Sequence, residues 1–480
     1  MAWFDAEGYD AARFVLQRGI AAVYLIAFLN ALNQFRALLG ERGLLPVPRF
    51  VARVPWRASP SLFHWRYSDR LLVAVAVTGM LLAATVVVGL PQQGPPWVPA
   101  LVFLVLWALY LSIVNVGQTF YAFGWESLLL EAGFLAMFLG SDDVAAPAAT
   151  IWMFRWLVFR LELGAGLIKW RGDTVWRDLT ATCYHHETQP MPNPASRYFH
   201  LLPRPLHKVE VAANHVTQLV VPFLLFAPQP VASYAAAAMI VTQGWLVLSG
   251  NFAWLNWLTM VLAFSAVDDA TLRRLVPRLT DADHDPSPLW WVVVVLAATA
   301  LVVVLSWWPA RNLLSRRQVM NASFNRWHLV NAYGAFGSIT RRRTEVVVEG
   351  TLDDDPGPDA DWREYGFKGK PGDVRRVPRQ YAPYHLRLDW LMWFLALGSP
   401  GYGWFTRFLV RLLQADPATL RLLRTDPFGG PPPRWVRARM FRYRFTTRME
   451  RRETGQWWVR SEIDELVRPQ DLASLRGADG

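Results

Sequence analysis

The sequence is nearly free of cysteine and lysine. A single thiol, Cys183, excludes an intramolecular disulfide, a CxxC redox motif and a cysteine-based zinc site. Only four lysines occur, at positions 169, 208, 368 and 370, although lysine and arginine together number 49. Because arginine stays protonated while lysine can lose its proton, a lysine kept in so arginine-rich a chain is of chemical interest.

Several functional motifs are missing as well. The chain contains no GxSxG, P-loop or Rossmann fingerprint, and the HHETQ stretch at 185–189 departs from the HExxH pattern of zinc proteases. Residues 1–14 lack the basic region of a signal peptide, so we expect the first apolar segment to direct membrane insertion. No internal repeat of the transporter kind is visible.

Apolar residues and tryptophan are abundant. Hydrophobic residues make up 53% of the chain, with 25 tryptophans, and they concentrate before about residue 310 in blocks long enough to cross a bilayer. We therefore predict a polytopic all-α membrane domain over residues 1–310, followed by a β-rich α+β extramembrane domain over 318–480. The predicted membrane segments number about nine: 15–35, 71–90, 96–116, 122–140, 150–169, 209–228, 231–249, 251–267 and 289–308.

Two long loops, 36–70 and 170–208, separate the predicted membrane segments. Each loop follows an odd-numbered segment, as does the C-terminal domain, so a nine-segment count places all three on one face of the membrane. Both loops are net basic, and the positive-inside rule would make that face cytoplasmic.

The C-terminal domain is arginine-rich. Alternation of apolar and polar residues predicts strands at 344–350 and 439–447. The apolar stretch 388–397 is too short to cross a membrane and predicts an interfacial or core helix. Residues 434–452 hold eight arginines among aromatic residues. This pattern favours a β-ribbon with one solvated basic face, directed at solvent or anionic lipid, over a nucleic-acid site.

The fourth and fifth predicted membrane segments carry unusual charges. A central charge costs about 2.5–3.5 kcal/mol to insert, so these side chains are expected to turn inward and pair. Either they lock two helices together, or they form the wall of a substrate site. The candidate substrate-binding residues are Glu126, Glu131, Arg155, Arg160 and His215.

Lys169 closes the fifth segment, after Gly164 and Gly166. It either extends its ammonium group to the membrane surface or acts as a desolvated base. Five of the nine histidines follow between residues 185 and 215. Their spacing matches no standard metal pair, so hydrogen-bonding histidines are favoured, and no metal or cofactor is assigned. The candidate catalytic residues are Lys169, Glu162, His185 and His186.

Residues 155–228, which include RWLVFRLELGAGLIKWRGDTVW, resemble the signature region of the lipase maturation factor family. The blocks 124–136, 325–340, 362–373 and 382–398 resemble the same family in the same order. The resemblance implies a multi-spanning protein with its C-terminal domain on the non-cytoplasmic side, which in animals is the lumen of the endoplasmic reticulum. There, such proteins are needed for folding and assembly of secreted dimeric lipases. This topology conflicts with the positive-inside rule.

The membrane part also resembles, more faintly, the membrane domain of vitamin K-dependent γ-carboxylase. In that enzyme a motif of glycine, apolar residues, lysine and a following tryptophan supplies a catalytic lysine. Gly166, Lys169 and Trp176 follow this pattern with a longer interval between lysine and tryptophan.

Two functions therefore remain open. The first is a multi-pass cell-membrane protein that assists the folding or assembly of exported proteins such as lipases. The alternative is a membrane-embedded enzyme that acts on a lipid, quinone or peptide. The expected partners are the lipid bilayer and exported lipase-like clients, and no nucleic acid.

Overall fold

The computed structural model describes residues 3–278, 283–398 and 403–477. Its N-terminal part is helical, and its C-terminal region combines a small antiparallel sheet with short helices. The N-terminal helices are α1 (Asp10–Leu39), α2 (Val47–Val51), α3 (Asp69–Val88), α4 (Trp97–Asn115), α5 (Gly124–Ala136), α6 (Ala148–Arg171), α7 (Thr174–Arg177), α8 (Thr182–Thr188), α9 (Ser196–His200), α10 (Arg204–Leu219), α11 (Val221–Leu224), α12 (Val231–Ser249), α13 (Leu255–Ala263), α14 (Asp269–Arg273), α15 (Leu289–Leu305) and α16 (Trp307–Leu314). Short 3-10 helices cover Leu62–His64, Pro91–Gln93, Gln118–Tyr121 and Phe264–Ala266.

Among the described residues, five helical segments are long and apolar enough to cross a membrane. They are α1, α3, α4, α12 and the continuous stretch Leu289–Leu314 formed by α15 and α16. These five coincide with the first, second, third, seventh and ninth predicted segments. A multi-pass membrane protein is therefore supported, while the predicted count of about nine is not confirmed.

The other four predicted segments differ from simple spans for local reasons. Helix α5 has 13 residues and is about 20 Å long, shorter than the roughly 30 Å hydrocarbon core. Helix α6 has 24 residues but holds several charges. The sixth segment breaks between α10 and α11, just before Pro222, and the eighth is α13 with a 3-10 extension. Polar groups and helix breaks thus replace the uniform apolar surface that a lipid-facing helix needs.

Helix α3 shows how local sequence sets an element's ends. The Ser68 hydroxyl accepts a hydrogen bond from the Leu71 amide at 3.1 Å and caps the first turn. The helix ends at Gly89, whose φ of 87° is left-handed and suits glycine. Within the helix, Gly79 lets α1 approach, since a Cβ at this position would lie 2.5 Å from the Phe28 ring. Helix α1 is buried along most of its length and forms the centre of the bundle.

The C-terminal region contains strands β1 (Arg343–Thr351), β2 (Arg363–Glu364), β3 (Trp435–Phe445) and β4 (Trp458–Gln470), and helices α17 (Arg387–Ala396), α18 (Gly403–Leu413), α19 (Pro417–Leu420), α20 (Arg448–Thr454) and α21 (Leu472–Gly477). The sheet order is β2-β1-β3-β4, with antiparallel pairing throughout. The predicted strands at 344–350 and 439–447 are confirmed as β1 and β3. The helix predicted at 388–397 is confirmed as α17, which is largely buried in the core.

The β-ribbon predicted at 434–452 belongs to a four-stranded sheet, and only part of its basic face is exposed. Strand β3 lies between β1 and β4, and two of its arginines pair with acidic side chains on those neighbours, whereas Arg442 and Arg444 are exposed. Arg437 and Arg439 both bind Glu349, at 2.6 Å each, and Arg439 also binds Glu462 at 2.7 Å. Cross-strand pairing has turned an apparently basic run into a mixed-charge surface.

Both long loops contact the C-terminal region. The Arg343 guanidinium, which is buried, donates hydrogen bonds to the carbonyls of Glu187 and Pro190 in the loop 170–208, at 2.8 and 3.1 Å. Arg411 donates to the carbonyl of Arg42 in the loop 36–70 at 2.5 Å. The two loops and the C-terminal region are therefore in contact, while their place on one face of the membrane stays a prediction.

Candidate functional site

The buried pair of Arg160 and Glu131 lies between α6 and α5. One carboxylate oxygen of Glu131 accepts from the Arg160 guanidinium, and the other accepts from the backbone amide of Asn331 at 2.9 Å and the hydroxyl of Tyr333 at 2.7 Å. Arg160 also donates to the Asn331 carbonyl at 2.7 Å. The predicted acid–base contact between the two helices is confirmed, and it also fastens the segment that precedes the sheet.

Glu126 has its partner in the C-terminal region. Its carboxylate accepts from Arg387 at the start of α17, at 2.7 Å, and from the hydroxyl of Tyr110. Arg387 further donates to Asn30 on α1 at 2.8 Å, and its guanidinium lies 3.4 Å from the centre of the Tyr121 ring. Both members of the ion pair are fully buried. Local spacing around Glu126 gives no indication of this arginine, which lies 261 residues away.

Lys169 and Glu162 are joined through amide side chains instead of a direct ion pair. The Lys169 ammonium donates to the Gln218 side-chain oxygen at 2.8 Å, and the Gln218 amide donates to Glu162 at 3.0 Å. The other oxygen of Glu162 accepts from Gln243 at 2.6 Å, and Gln243 accepts in turn from Asn256 at 2.6 Å. All five side chains are buried, so they form a continuous polar chain through α6, α10, α12 and α13.

The surroundings of Lys169 do not fit the alternative of a surface-directed side chain. The residue is only 5% exposed, and its ammonium also donates to Asn214 at 3.1 Å. The ammonium lies 4.8 Å from the centre of the Trp176 ring, which is within cation–π range. The lysine and tryptophan picked out in the sequence are therefore in contact, although they lie seven residues apart in the chain. An enclosed ammonium held by amide oxygens can bind an anionic or carbonyl group, or exchange a proton.

Three histidines named in the sequence analysis have separate environments. The His185 ring stacks on Phe252 with a centroid distance of 5.8 Å, and burial lowers its pKa to about 3, so the ring is neutral at physiological pH. His186 contacts Glu210 at 3.1 Å. The His215 ring donates to the carbonyl of Trp176 at 3.0 Å, next to Lys169.

Arg155 is buried but binds mainly backbone groups. Its guanidinium donates to the carbonyls of Ser265 and Leu225, at 3.1 and 3.3 Å, and to the hydroxyl of Tyr9 at 2.7 Å. The expectation that all the intramembrane charges turn inward is confirmed for Glu126, Glu131, Arg155, Arg160 and Glu162. The simpler picture of one network between two helices was wrong, because the partners come from several distant segments.

One further group of possible metal ligands lies beside the predicted site. The group consists of His186, His207 and Glu210. Each offers one possible ligand atom, and these atoms lie within 4.8 Å of one another.

Sequence reasoning missed Gln218, Gln243 and Arg387. Glutamine within an apolar segment was the available signal for the first two, since an uncharged amide in a membrane helix also needs a partner.

Fold and site together define a multi-pass membrane protein with buried polar clusters, whose C-terminal region inserts an arginine into the helical bundle. The family model described as the Lipase maturation factor transmembrane domain matches residues 11–274, and that of the Lipase maturation factor C-terminal domain matches residues 329–468. The chain belongs to the lipase maturation factor family.

Relatives with this name match along most of their length. Lipase maturation factor 1 from Homo sapiens is 42% identical, with 97% of this chain and 88% of the relative covered. The Bos taurus protein of the same name is also 42% identical, with 97% and 90% covered. Lipase maturation factor 2 from Xenopus laevis is 30% identical, with 95% and 82% covered. No solved structure matches the chain significantly.

Proposed function

We propose that this protein is a membrane-bound maturation factor that assists the folding or assembly of exported lipases. The observation that carries the proposal is the 42% identity to a protein named Lipase maturation factor 1 along 97% of this chain. A match of this extent includes both the bundle and the C-terminal region. The alternative of a membrane-embedded carboxylase-like enzyme finds no support in the comparisons.

The C-terminal region supplies the surface on which a client would fold. Arg387 holds this region to the bundle, and Arg343 holds it to the loop 170–208, each through several hydrogen bonds of a buried guanidinium. Because the two attachments lie at different places, they restrict both the rotation of the C-terminal region and its movement away from the bundle. A rigidly held surface loses little conformational entropy when a client binds, which favours productive contact.

The finer organisation is part of the same proposal. We assign residues 1–310 to the membrane domain, with about nine membrane segments, and residues 318–480 to the extramembrane domain. The protein resides in the cell membrane, in contact with the lipid bilayer, and its C-terminal domain faces the non-cytoplasmic side, where exported clients are found. The family topology thereby takes precedence over the positive-inside rule, which is weak for long folded loops.

The buried polar residues have two proposed roles. Glu126, Glu131, Arg155 and Arg160 hold the bundle and the C-terminal region together. Lys169, Glu162 and His215, with His185 and His186 nearby in the loop 170–208, remain candidates for a chemical or ligand-binding role. The connected chain from Lys169 to Asn256 is the observation that favours this second role.

The function can be tested with a secreted homodimeric lipase. The lipase is co-expressed with the full chain or with an empty vector, and its activity is divided by its secreted mass. We expect the chain to raise this specific activity, and to leave unchanged the specific activity of a monomeric exported β-lactamase. Equal lipase specific activity with and without the chain would contradict the proposal.

Topology can be tested separately by cysteine labelling. In a Cys183→Ser background, single cysteines replace Phe50 or Ala360 and are treated with a membrane-impermeant maleimide on intact and on permeabilised cells. We expect both positions to react in intact cells. Reaction only after permeabilisation would place the C-terminal domain in the cytoplasm.

A further inference from the structure

The histidine-rich loop brings two ring nitrogens and one carboxylate together. His207 and Glu210 are three residues apart on α10 and so share one face of that helix, while His186 reaches the same point from α8. Nε2 of His186 lies 3.1 Å from an oxygen of Glu210, and Nδ1 of His207 lies 3.7 Å from the same oxygen. Both histidines are buried, and Glu210 is 11% exposed.

The protonation of His207 follows from its neighbours. Its Nε2 faces the backbone carbonyl of His200 at 3.3 Å, and a carbonyl can only accept, so Nε2 carries a proton. In the neutral ring Nδ1 then holds a lone pair, which is directed towards the Glu210 carboxylate. The Thr182 hydroxyl lies 3.0 Å from this nitrogen, and it can donate its proton to the His207 carbonyl at 3.3 Å, which leaves the lone pair free. A lone pair and a carboxylate that face one another across a buried gap suit a cation between them.

Groups around the cluster form hydrogen bonds with the possible ligands and fix their orientation, as the outer shell of a metal site does. The His200 carbonyl fixes the tautomer of His207, and the Trp245 indole donates to the second oxygen of Glu210 at 2.8 Å. The other Glu210 oxygen, which faces His186 and His207, is thus available to bind a cation together with these histidines. Metal-binding histidines and carboxylates are typically held by such contacts.

We propose that His186, His207 and Glu210 bind a zinc ion. Two imidazoles and one carboxylate are a zinc ligand set, and Zn–N and Zn–O bonds of about 2.0–2.2 Å place neighbouring ligand atoms at roughly the separations found here. Three protein ligands leave one tetrahedral position for water or an external ligand. The ion links α8 to α10, one helical turn from Asn214, which accepts from Lys169, and this role does not depend on lipase maturation.

The test uses the full chain, purified in detergent, stripped with a chelator and loaded with Zn²⁺ alone. After desalting, elemental analysis is expected to find a single zinc ion per wild-type chain, and Glu210→Gln and His207→Gln are expected to lose it. The matched control is His200→Gln, which changes a histidine of the same loop outside the ligand set and should retain zinc. Zinc should raise the thermal midpoint of the wild type and the control, but not that of the ligand variants.

Trp245→Phe provides a variant that leaves every ligand in place. Trp245 is 41% exposed, so its replacement should not disturb folding. Loss of its hydrogen bond to Glu210 is expected to weaken zinc affinity by about 10–100-fold, measured by competition with a chromophoric chelator. The proposal is overturned if wild type binds no more zinc than His207→Gln, if the ligand variants keep full stoichiometry, or if only Fe²⁺ binds under anaerobic conditions.

Discussion

The ion pair between Arg387 and Glu126 gives the sharpest test of how the C-terminal region is held. Replacing Arg387 with methionine keeps most of the side-chain volume but removes the charge. Glu126 then remains as a buried carboxylate that accepts from the hydroxyl of Tyr110 and lies 3.8 Å from Nδ1 of His385. The perturbation also removes hydrogen bonds to Asn30 and to the carbonyl of Phe120, both 2.8 Å long.

The expected loss can be worked out from these contacts. Breaking one member of a buried ion pair typically costs about 3–5 kcal/mol, because an uncompensated charge remains. Hydrogen bonds from a charged donor contribute about 1.5–3 kcal/mol each, but their effects overlap with the loss of the pair. We therefore expect Arg387→Met to lower the free energy of unfolding by about 4–5 kcal/mol.

The assay is a double-mutant cycle on protein in detergent micelles. Glu126→Gln, Arg387→Met and the double variant are unfolded at equilibrium, and the double variant should be more stable than the sum of the single losses predicts. Contacting residues couple by about 0.5–3 kcal/mol, and the upper part of this range is expected for a buried pair. Arg363→Met is the control, since Arg363 and its partner Asp361 are about half exposed and the change should cost less than about 1 kcal/mol.

A second readout is proteolysis of the stretch between α16 and β1. Loosening of the C-terminal region in Arg387→Met should speed cleavage there, while Arg363→Met should be cleaved like wild type. Unchanged stability and cleavage in Arg387→Met, or strictly additive losses in the cycle, would refute the inferred attachment.

Variants at three other positions extend the predictions. Arg160→Ala leaves Glu131 buried without its cation and should lower unfolding free energy by about 3–5 kcal/mol; normal abundance and thermal stability would contradict this. Lys169→Arg and Lys169→Met should remain folded but lose lipase maturation if the ammonium has a chemical role, and full activity in both would exclude it. Burial raises the pKa of the Asp389 carboxyl to about 6, above its ordinary value of 3.8. Its proton therefore stabilises the fold fully below about pH 4, and this contribution disappears as the pH rises through about 6. Relative to Asp389→Asn, wild type should lose about 2–3 kcal/mol between pH 4 and 7, and parallel stability curves would exclude this effect.

Composition alone predicted the apolar helices well. Helix α3 was expected at 71–90 and lies at Asp69–Val88, and α12 was expected at 231–249 and has those bounds. Whether a helix can face lipid depends on the hydropathy of its own side chains, so the local average of hydropathy predicts such helices directly. The ends also follow local signals, as the Ser68 cap of α3 shows.

The partners of the buried charges could not be predicted in the same way. Glu131 binds Asn331, 200 residues away, and no spacing rule connects them. A charge in an apolar segment predicts that a partner exists, because the cost of leaving it unpaired is high. It does not say which segment supplies that partner. The inward direction of the charges was therefore predictable, whereas Arg387 and the glutamines were not.

Strand β4 was missed for a different reason. Five of the 13 residues in its sequence WVRSEIDELVRPQ are charged, and the strand lies at the edge of the sheet, paired only with β3. Edge strands carry charged side chains that oppose further pairing, so the alternation that indicates a strand is weak. The proposed metal ligands give only a partial signal in the sequence, since His207 and Glu210 share a helix face while His186 comes from another helix.

The choice of arginine for the two attachments has a physical consequence. Arg343 binds three backbone carbonyls of residues 187–190, and Arg387 binds a carboxylate, an amide and a carbonyl. Guanidinium has enough donors for such sets and stays protonated at any accessible pH, which a lysine in the same buried positions would not. The attachments should therefore persist when pH changes on either side of the membrane. Asp389, on the same helix as Arg387, does titrate, and its contribution to stability disappears as the pH rises through about 6. A rise in pH, and not a fall, should therefore alter the interior of the C-terminal region while the two arginine attachments persist.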